Sequence, residues 1–300
     1  MASDIAAIVL GQDAGRLQRV AANVARRAGI PIAVVPDGAL FDAPATLPLR
    51  QQVEEMALRW AGLTCGEPLR FGTTKPDLWC AWGPGWVPLL EQFSPAGRVV
   101  VTGSPRAADF VALRSAPGDP PQILLCSQPT WVHPFPPSTS AGPAWYRWVD
   151  RILHSSPAGS VRVRLHPRER DICEELALSE AVLAAVTVGT TLAQDVAHSD
   201  AVVAPFSTVL IEAAAAGRNV LSVVPEHACL ETRMSSPAMA DPDLQVRLVS
   251  ELDDFAAVVN ELAGHATDIE WGSRYATVAP DTADRCAIAI ADLVRASVRT

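Results

Sequence analysis

The chain opens on a short apolar run, Ile5 to Leu10. Leu17, Val20, Ala21, Val24 and Ala25 then recur at helical spacing until Gly29-Ile30-Pro31 stops the helix and Ile32 to Val35 begins a second apolar run. This spacing predicts a β-α-β unit. A helix over Gln51 to Trp60, a strand over Leu78 to Trp82, a helix over Trp86 to Phe93 and a strand over Val99 to Thr102 continue the alternation. A loop with Pro117, Pro120 and Pro121 interrupts it. The pattern restarts with a strand over Ile123 to Cys126, a helix near Trp145 to Leu153, a strand over Val161 to Leu165 and a helix around Glu169 to Leu178. Val182 to Val188 reads as a strand, Leu192 to Ala197 as a helix, Ala201 to Ala204 as a strand, Val209 to Ala216 as a helix and Val220 to Val224 as a strand. Helical patterns near Leu252 to Leu262 and over Thr282 to Val298 close the chain and are expected to pack against the pair of sheets, with a return to the first.

Short β runs separated by single helices join one sheet only through right-handed crossovers, so each half should be a parallel sheet covered on both faces. The expected fold class is α/β, with two Rossmann-like domains. The proline-rich interruption places the boundary near residue 119, giving a first domain of 1–119 and a second of 120–300 that carries the C-terminal helices. The first, with 119 residues against 181, then looks short. No solenoid repeat is visible.

Composition narrows the partners. With 49% apolar and 19% charged residues the chain buries a core, which excludes disorder and coiled coil. The 24 basic and 33 acidic residues leave a net charge of −9, and Lys75 is the sole lysine, so the positive charge is nearly all arginine. That balance argues against a nucleic-acid clamp and suits discrete phosphates or carboxylates, which the flat guanidinium fork holds. No basic cluster precedes the first apolar run, and the longest apolar stretch, Ala201 to Gly217, is interrupted by Pro205, Ser207, Thr208 and Glu212. Neither a secretory signal nor an integral membrane segment is expected, and the expected location is cytoplasmic. The six cysteines are far apart and form no C-x-x-C pair, as for reduced thiols rather than a metal site or a disulfide frame.

Neither G-x-G-x-x-G after a strand nor a P-loop is present, which weakens dinucleotide redox and P-loop chemistry. Gly11-Gln-Asp-Ala-Gly15 follows the first strand and opens a helix, where it is either an anion site or a tight turn. Arg162-Val-Arg164-Leu-His166-Pro167-Arg168-Glu169 sets a histidine among arginines at the carboxyl end of a predicted strand, where open α/β sheets bind ligands. A phosphate would fit there, with His166 as donor and Pro167 fixing the turn. His133-Pro134, in a proline-rich loop, reads as structural. Asp200 to Gly217 reads as strand, hydroxyl pair, helix. Ser207 can cap the helix while neighbouring amides and the positive helix end face a phosphate. Glu212 lies in an otherwise apolar helix, where a buried carboxylate needs a partner such as ribose hydroxyls. The alternative is a plain N-cap and a surface glutamate.

The run from Asp200 to Gly217, with the Arg-Asn-Val-Leu-Ser-Val-Val-Pro that follows, resembles the donor-binding segment of GT-B glycosyltransferases and of UDP-N-acetylglucosamine 2-epimerases. His166-Pro167 resembles the His-Pro motif, and Ser207-Thr208 the serine motif, of bacterial sialyltransferases, polysialyltransferases and CDP-glycerol glycerophosphotransferases. Lys75 to Gly83 with Val99 to Arg106 is similar to the end of the first domain in capsule-type transferases, and Ile123-Leu-Leu-Cys-Ser127-Gln128 to the first strand and donor-facing turn of the second. The likeness covers roughly residues 5 to 265.

What the resemblance implies is a glycosyltransferase of GT-B type that acts in polysaccharide biosynthesis, takes a nucleotide-sugar donor, and transfers the sugar to a carbohydrate or other hydroxyl acceptor. No metal or separate cofactor takes part, and the expected outcome is inverting. Ser127, Gln128, Arg164, His166, Pro167, Ser207, Thr208 and Glu212 would hold the donor, with His166 also steadying the departing phosphate. Gly29 to Gly38 is similar to the Gly-Ile-Pro strand of these families, with Pro36 in place of the first acid, so Asp37 becomes the candidate base, with Asp13 and Asp42 behind it. Two rivals stand beside this. An epimerase would release a sugar isomer from donor alone, although the Gly-Gly such enzymes carry after the serine is replaced here by Thr208-Val209. A nucleotide-sugar-binding accessory subunit would be inert without a partner chain. Homo-oligomer and partner subunit both remain open.

Overall fold

The computed structural model describes residues 5–40, 49–68, 70–112, 121–128, 141–170, 176, 178–225, 234–250, 252–263 and 269–298. Its contacts divide it into two compact units, one of Met1–Pro105, Ser235–Ala238 and Thr277–Thr300, the other of Arg106–Met234 and Met239–Ala276.

In the first unit β1 (Ile8–Leu10), β2 (Ile32–Val34), β3 (Leu78–Ala81) and β4 (Arg98–Val101) form a parallel sheet in the order β1-β2-β3-β4. The connections carry α1 (Arg16–Arg27), α2 (Leu49–Trp60) and α3 (Val87–Phe93). Every crossover steps the same way along the sheet, and right-handed crossovers of one direction place their helices on one face. The other face needs a separate cover. The C-terminal helix Thr282–Ser297 supplies it, setting Cys286, Ala289 and Leu293 against Ala33, Leu78 and Cys80. This is the return that the sequence pattern led us to expect. Trp79, Trp82 and Trp86 are core residues. The left-handed φ of Gly103, +94°, lets the chain leave β4 where a Cβ would lie 2.7 Å from the Thr277 carbonyl oxygen.

The second unit has β5 (Ile123–Cys126), β6 (Val161–Arg164), β7 (Ala201–Ala204), β8 (Asn219–Val224) and β9 (Val246–Leu248), all parallel, in the order β6-β5-β7-β8-β9. With them come α4 (Ala107–Ala112), α5 (Ala141–Ser155), α6 (Pro167–Arg170), α7 (Glu180–Ala185), α8 (Leu192–Ala197) and α9 (Thr208–Ala215). The central strands β5 and β7 are buried throughout, as apolar runs in a two-sided parallel sheet must be. One face packs Ile123, Leu125, Val163, Val203 and Leu221 against Trp145, Trp148 and Val149 of α5 and Val258 of the helix Phe255–Ala263. Helix α4 packs on α8 and α9, so residues 107–112 lie with this unit.

One expected strand is a helix. Val182 to Val188 forms α7 over Glu180–Ala185, and only Val186 makes an isolated parallel bridge, to Val163. Ser179 decides the matter: its side chain accepts a hydrogen bond from the Val182 amide and caps the helix. Strand β9 and the helices α4 and Ile269–Tyr275 had no counterpart in the sequence reading. Cys65, Cys80, Cys126 and Cys286 are free thiols. Asp42, His133-Pro134, Cys173 and Cys229 lie outside the described residues.

Candidate functional site

The second sheet reverses its winding at one place. The chain goes from β5 outward to β6, then returns past β5 to lay down β7, β8 and β9 on the other side. The switch point is therefore between β5 and β7, and open α/β sheets bind ligands at the carboxyl ends of the strands there. Ser127 and Gln128 follow β5, His166 and Pro167 follow β6, and Ser207 and Thr208 follow β7. Neighbouring strands lie about 5 Å apart, so these three strand ends fall within about 10 Å. Six of the expected donor residues are thus gathered by topology alone.

The turn after β6 is built by its own short sequence. His166 precedes α6 and its Nδ1 accepts the Arg168 amide at 3.2 Å, Pro167 holds the first helical position, and Glu169 reaches back to accept the His166 amide at 3.1 Å. The His166 amide is also held by the Ser127 hydroxyl at 2.8 Å. Glu169 is fully buried and accepts from the Ser127 hydroxyl and, at 3.0 Å, from Tyr146. Burial raises its pKa, and those donors work against the rise. The result fixes the imidazole. With Nδ1 occupied as an acceptor, the neutral ring carries its proton on Nε2. Burial, and then the Arg168 charge, hold the His166 pKa below its ordinary value. His166 thus presents a neutral Nε2–H donor. Glu169 and Tyr146 were not singled out in the sequence, yet the His-Pro-Arg-Glu spacing carries the capping signal that would have found Glu169.

Ser207 caps α9, its Oγ accepting the Val209 amide at 3.4 Å, and Gly217, with φ +76°, ends the segment. The Gln128 side chain ties the end of β5 to that of β7 by accepting the Phe206 amide at 3.4 Å. Glu212 is fully buried on α9. Arg106 lies 3.1 Å from its Oε1, off the line of a hydrogen bond, and neither carboxylate oxygen has a hydrogen-bond partner among the described residues. Desolvation pushes its pKa up to about 7, against the opposing pull of Arg106. Of the two readings of Glu212, the surface glutamate is excluded by its burial.

Arg164 does not join this group. Its guanidinium is paired with the buried Asp195 and donates to the Thr190 carbonyl at 3.2 Å, while Arg162 also reaches Asp195, at 3.6 Å. Thr187 and Thr190 complete the cage around that carboxylate. In the first unit, Asp37 is exposed at the turn after β2, where its amide donates to the Gly11 carbonyl at 2.9 Å and Trp82 holds the preceding Pro36 carbonyl at 2.8 Å. Asp13 is consumed structurally, accepting from the Gly72 amide at 2.9 Å and the Thr74 hydroxyl at 2.5 Å. Gly11 to Gly15 is the tight turn, closed by the Gln12 side chain on the Gly15 amide at 3.1 Å.

Helix α9 depends on a glycine. In the helix Ile269–Tyr275, which packs against α9, a Cβ on Gly272 would sit 2.5 Å from the Ala215 nitrogen and 2.6 Å from the Ala214 carbonyl carbon. Those are backbone atoms that cannot swing aside. Gly272→Ala is expected to cost about 1 to 3 kcal/mol in urea unfolding, because overpacking must move a helix. Unchanged stability would mean that the two helices separate without loss.

No protein-family model matches this chain, and no curated protein matches it by sequence. Solved structures do resemble it. The wall teichoic acid polymerase TagF superposes with a TM-score of 0.52 at 11% identity, over 90% of this chain and 69% of that one. A putative UDP-N-acetylglucosamine 2-epimerase from Listeria monocytogenes gives 0.48 at 12% identity over 94% and 73%, and MurG from Acinetobacter baumannii 0.44 at 12% over 96% and 73%. What the superposition on TagF shows is the shared fold, two parallel Rossmann-like sheets.

Proposed function

We propose that this chain, with its GT-B fold, is a glycosyltransferase whose second unit binds the nucleotide of an activated sugar donor at the carboxyl ends of β5, β6 and β7. The observation that carries the reading is Glu212, a fully buried carboxylate with no hydrogen-bond partner among the described residues, on the helix that Ser207 caps at the switch point. Ribose hydroxyls are donors of the kind it lacks. The amides at the start of α9, the Ser207 and Thr208 hydroxyls and the His166 Nε2–H would receive the phosphates.

In this reading the charge that grows on the departing phosphate is met by fixed donors, the electrostatic form of catalysis, without a metal ion and with inversion at the sugar carbon. Ser127 and Gln128 shape the floor of the site. Pro167 and the Glu169 clamp position His166, and Arg164 serves the fold through Asp195. Asp37 is the proposed base for a carbohydrate or other hydroxyl acceptor. Calorimetry with CMP, CDP, UDP and GDP tests the donor site: one of them should bind at least about tenfold more tightly than the rest. No heat from any of the four up to millimolar concentration would overturn the reading.

A further inference from the structure

Helix α2 is folded inside out. Leu49, Val53, Met56 and Trp60 follow one another at spacings that put them on one stripe of the helix, and they are 75%, 52%, 67% and 91% exposed. The acidic side faces inward instead. Glu55, the single buried residue of the helix, accepts from Arg19 and Arg16 of α1 at 2.7 Å each, and Glu54 pairs with Arg16 and Arg50 at 3.1 Å. An ordinary surface helix turns its apolar stripe to the core and its charges to water. Four large apolar side chains exposed together mark a surface that something covers.

The charges beside the stripe indicate what covers it. Arg50 and Arg59 flank it on opposite sides of the helix. Next to it Arg59, Arg70 and Lys75, with Glu67, line a cavity of about 380 Å³ in the same unit. Glu67 offsets one cation, pairing with Arg70 at 3.2 Å, whereas Arg59 and Lys75 have no carboxylate partner among the described residues. Lys75 is also the one non-glycine described residue with a left-handed backbone, φ +52°, a conformation that costs energy and persists only when its surroundings impose it. They do so here. Asp13 binds the Gly72 amide and the Thr74 hydroxyl, and Arg26 holds the Thr74 and Lys75 carbonyls, so the turn that presents the lysine is pinned from below.

We infer that the α2 stripe and the Arg59–Lys75 cavity dock the first unit on a membrane surface of anionic lipid. Trp60, Met56, Val53 and Leu49 would enter the boundary of head groups and acyl chains, and the cations beside them would meet lipid phosphates. A second copy of the chain fits less well. It would bring Arg59 against its like, while Glu55 is engaged inward by Arg16 and Arg19 and Glu54 is shared between Arg16 and Arg50. No helix among the described residues is long and apolar enough to cross a membrane, so the contact would lie along the surface. The inference does not rest on the transferase reading.

Co-sedimentation of the full chain with vesicles tests it. Partition onto vesicles of phosphatidylcholine with one-third phosphatidylglycerol should exceed that onto phosphatidylcholine alone by at least about tenfold and fall as salt is raised. Trp60→Glu and Met56→Glu alter exposed side chains, so they should leave the thermal midpoint unchanged while cutting partition about tenfold or more. Arg59→Gln should cut it about fivefold. Equal partition onto both kinds of vesicle, or unchanged partition of Trp60→Glu, would overturn the proposal. So would a dimer seen by light scattering that Trp60→Glu dissolves when neither protein binds vesicles.

Discussion

Replacing His166 by alanine is expected to lower turnover by about 10²- to 10³-fold with the fold intact, the usual consequence of deleting one fixed donor to developing charge. The size follows from how completely the imidazole is arranged beforehand. Its Nδ1 accepts the Arg168 amide at 3.2 Å, and its own amide is held by Ser127 and Glu169, so neither tautomer nor ring position need be paid for during reaction. The half-buried ring also has its pKa held below the ordinary value by burial and by Arg168, so it is already a neutral donor at pH 7.

Two readouts separate this role from a structural one. His166→Gln sets an amide N–H near the place of Nε2 and should recover part of what alanine loses, whereas a ring needed only to cap α6 would not be replaced by glutamine. The rate with wild-type protein should hold steady from neutral to mildly alkaline pH as far as this group is concerned, and change only as acid protonates the ring. Release of the nucleotide that calorimetry identifies, from sugar donors that carry it, is the measurement. Turnover within tenfold of wild type in His166→Ala would remove the residue from the mechanism.

How much of this was legible beforehand depended on how far apart the interacting residues lie. The strands β5 and β7 were readable because both are short, wholly apolar and bounded by turn residues, and Ser207 and Glu212 because a cap and a lone acid stand out against an apolar helix. The run Val182 to Val188 was not, since a short run that is apolar but for Thr187 suits either period and its cap lies outside it, at Ser179. Arg164 looked available for a phosphate because Asp195, its partner, is 31 residues away. Asp13 looked like a reserve base because Gly72 and Thr74, which consume it, are 59 and 61 residues away. Local spacing shows which groups a segment offers; only the fold shows which of them other segments have already taken. The inverted helix α2 has the same lesson, because its stripe was regular enough to predict a helix but not to say which side faces out.

Glu212→Gln is expected to weaken donor binding about 10- to 100-fold, the loss of hydrogen bonds to a charged acceptor, and at the same time to gain stability relative to wild type as pH rises. The two effects come from one cause. The carboxylate is buried without hydrogen-bond partners among the described residues, and desolvation lifts its pKa from 4.5 to about 7 despite Arg106. A group whose folded pKa is raised keeps its proton in the folded state while the unfolded chain has released it. Its contribution to stability is therefore complete below 4.5 and is lost as pH climbs to about 7. Over that window the difference amounts to about 3 kcal/mol, and glutamine, which does not titrate, escapes it. Urea unfolding of both proteins at about pH 4 and about pH 8 should show the variant improving relative to wild type by about that amount. The wild-type protein should bind donor better above pH 7 than below it, since the ribose hydroxyls need the ionised oxygens. A glutamate kept for the fold would behave in the opposite way, losing stability on substitution and leaving nucleotide affinity untouched. A carboxylate that destabilises the empty protein and strengthens the complex is held in place by the ligand it binds.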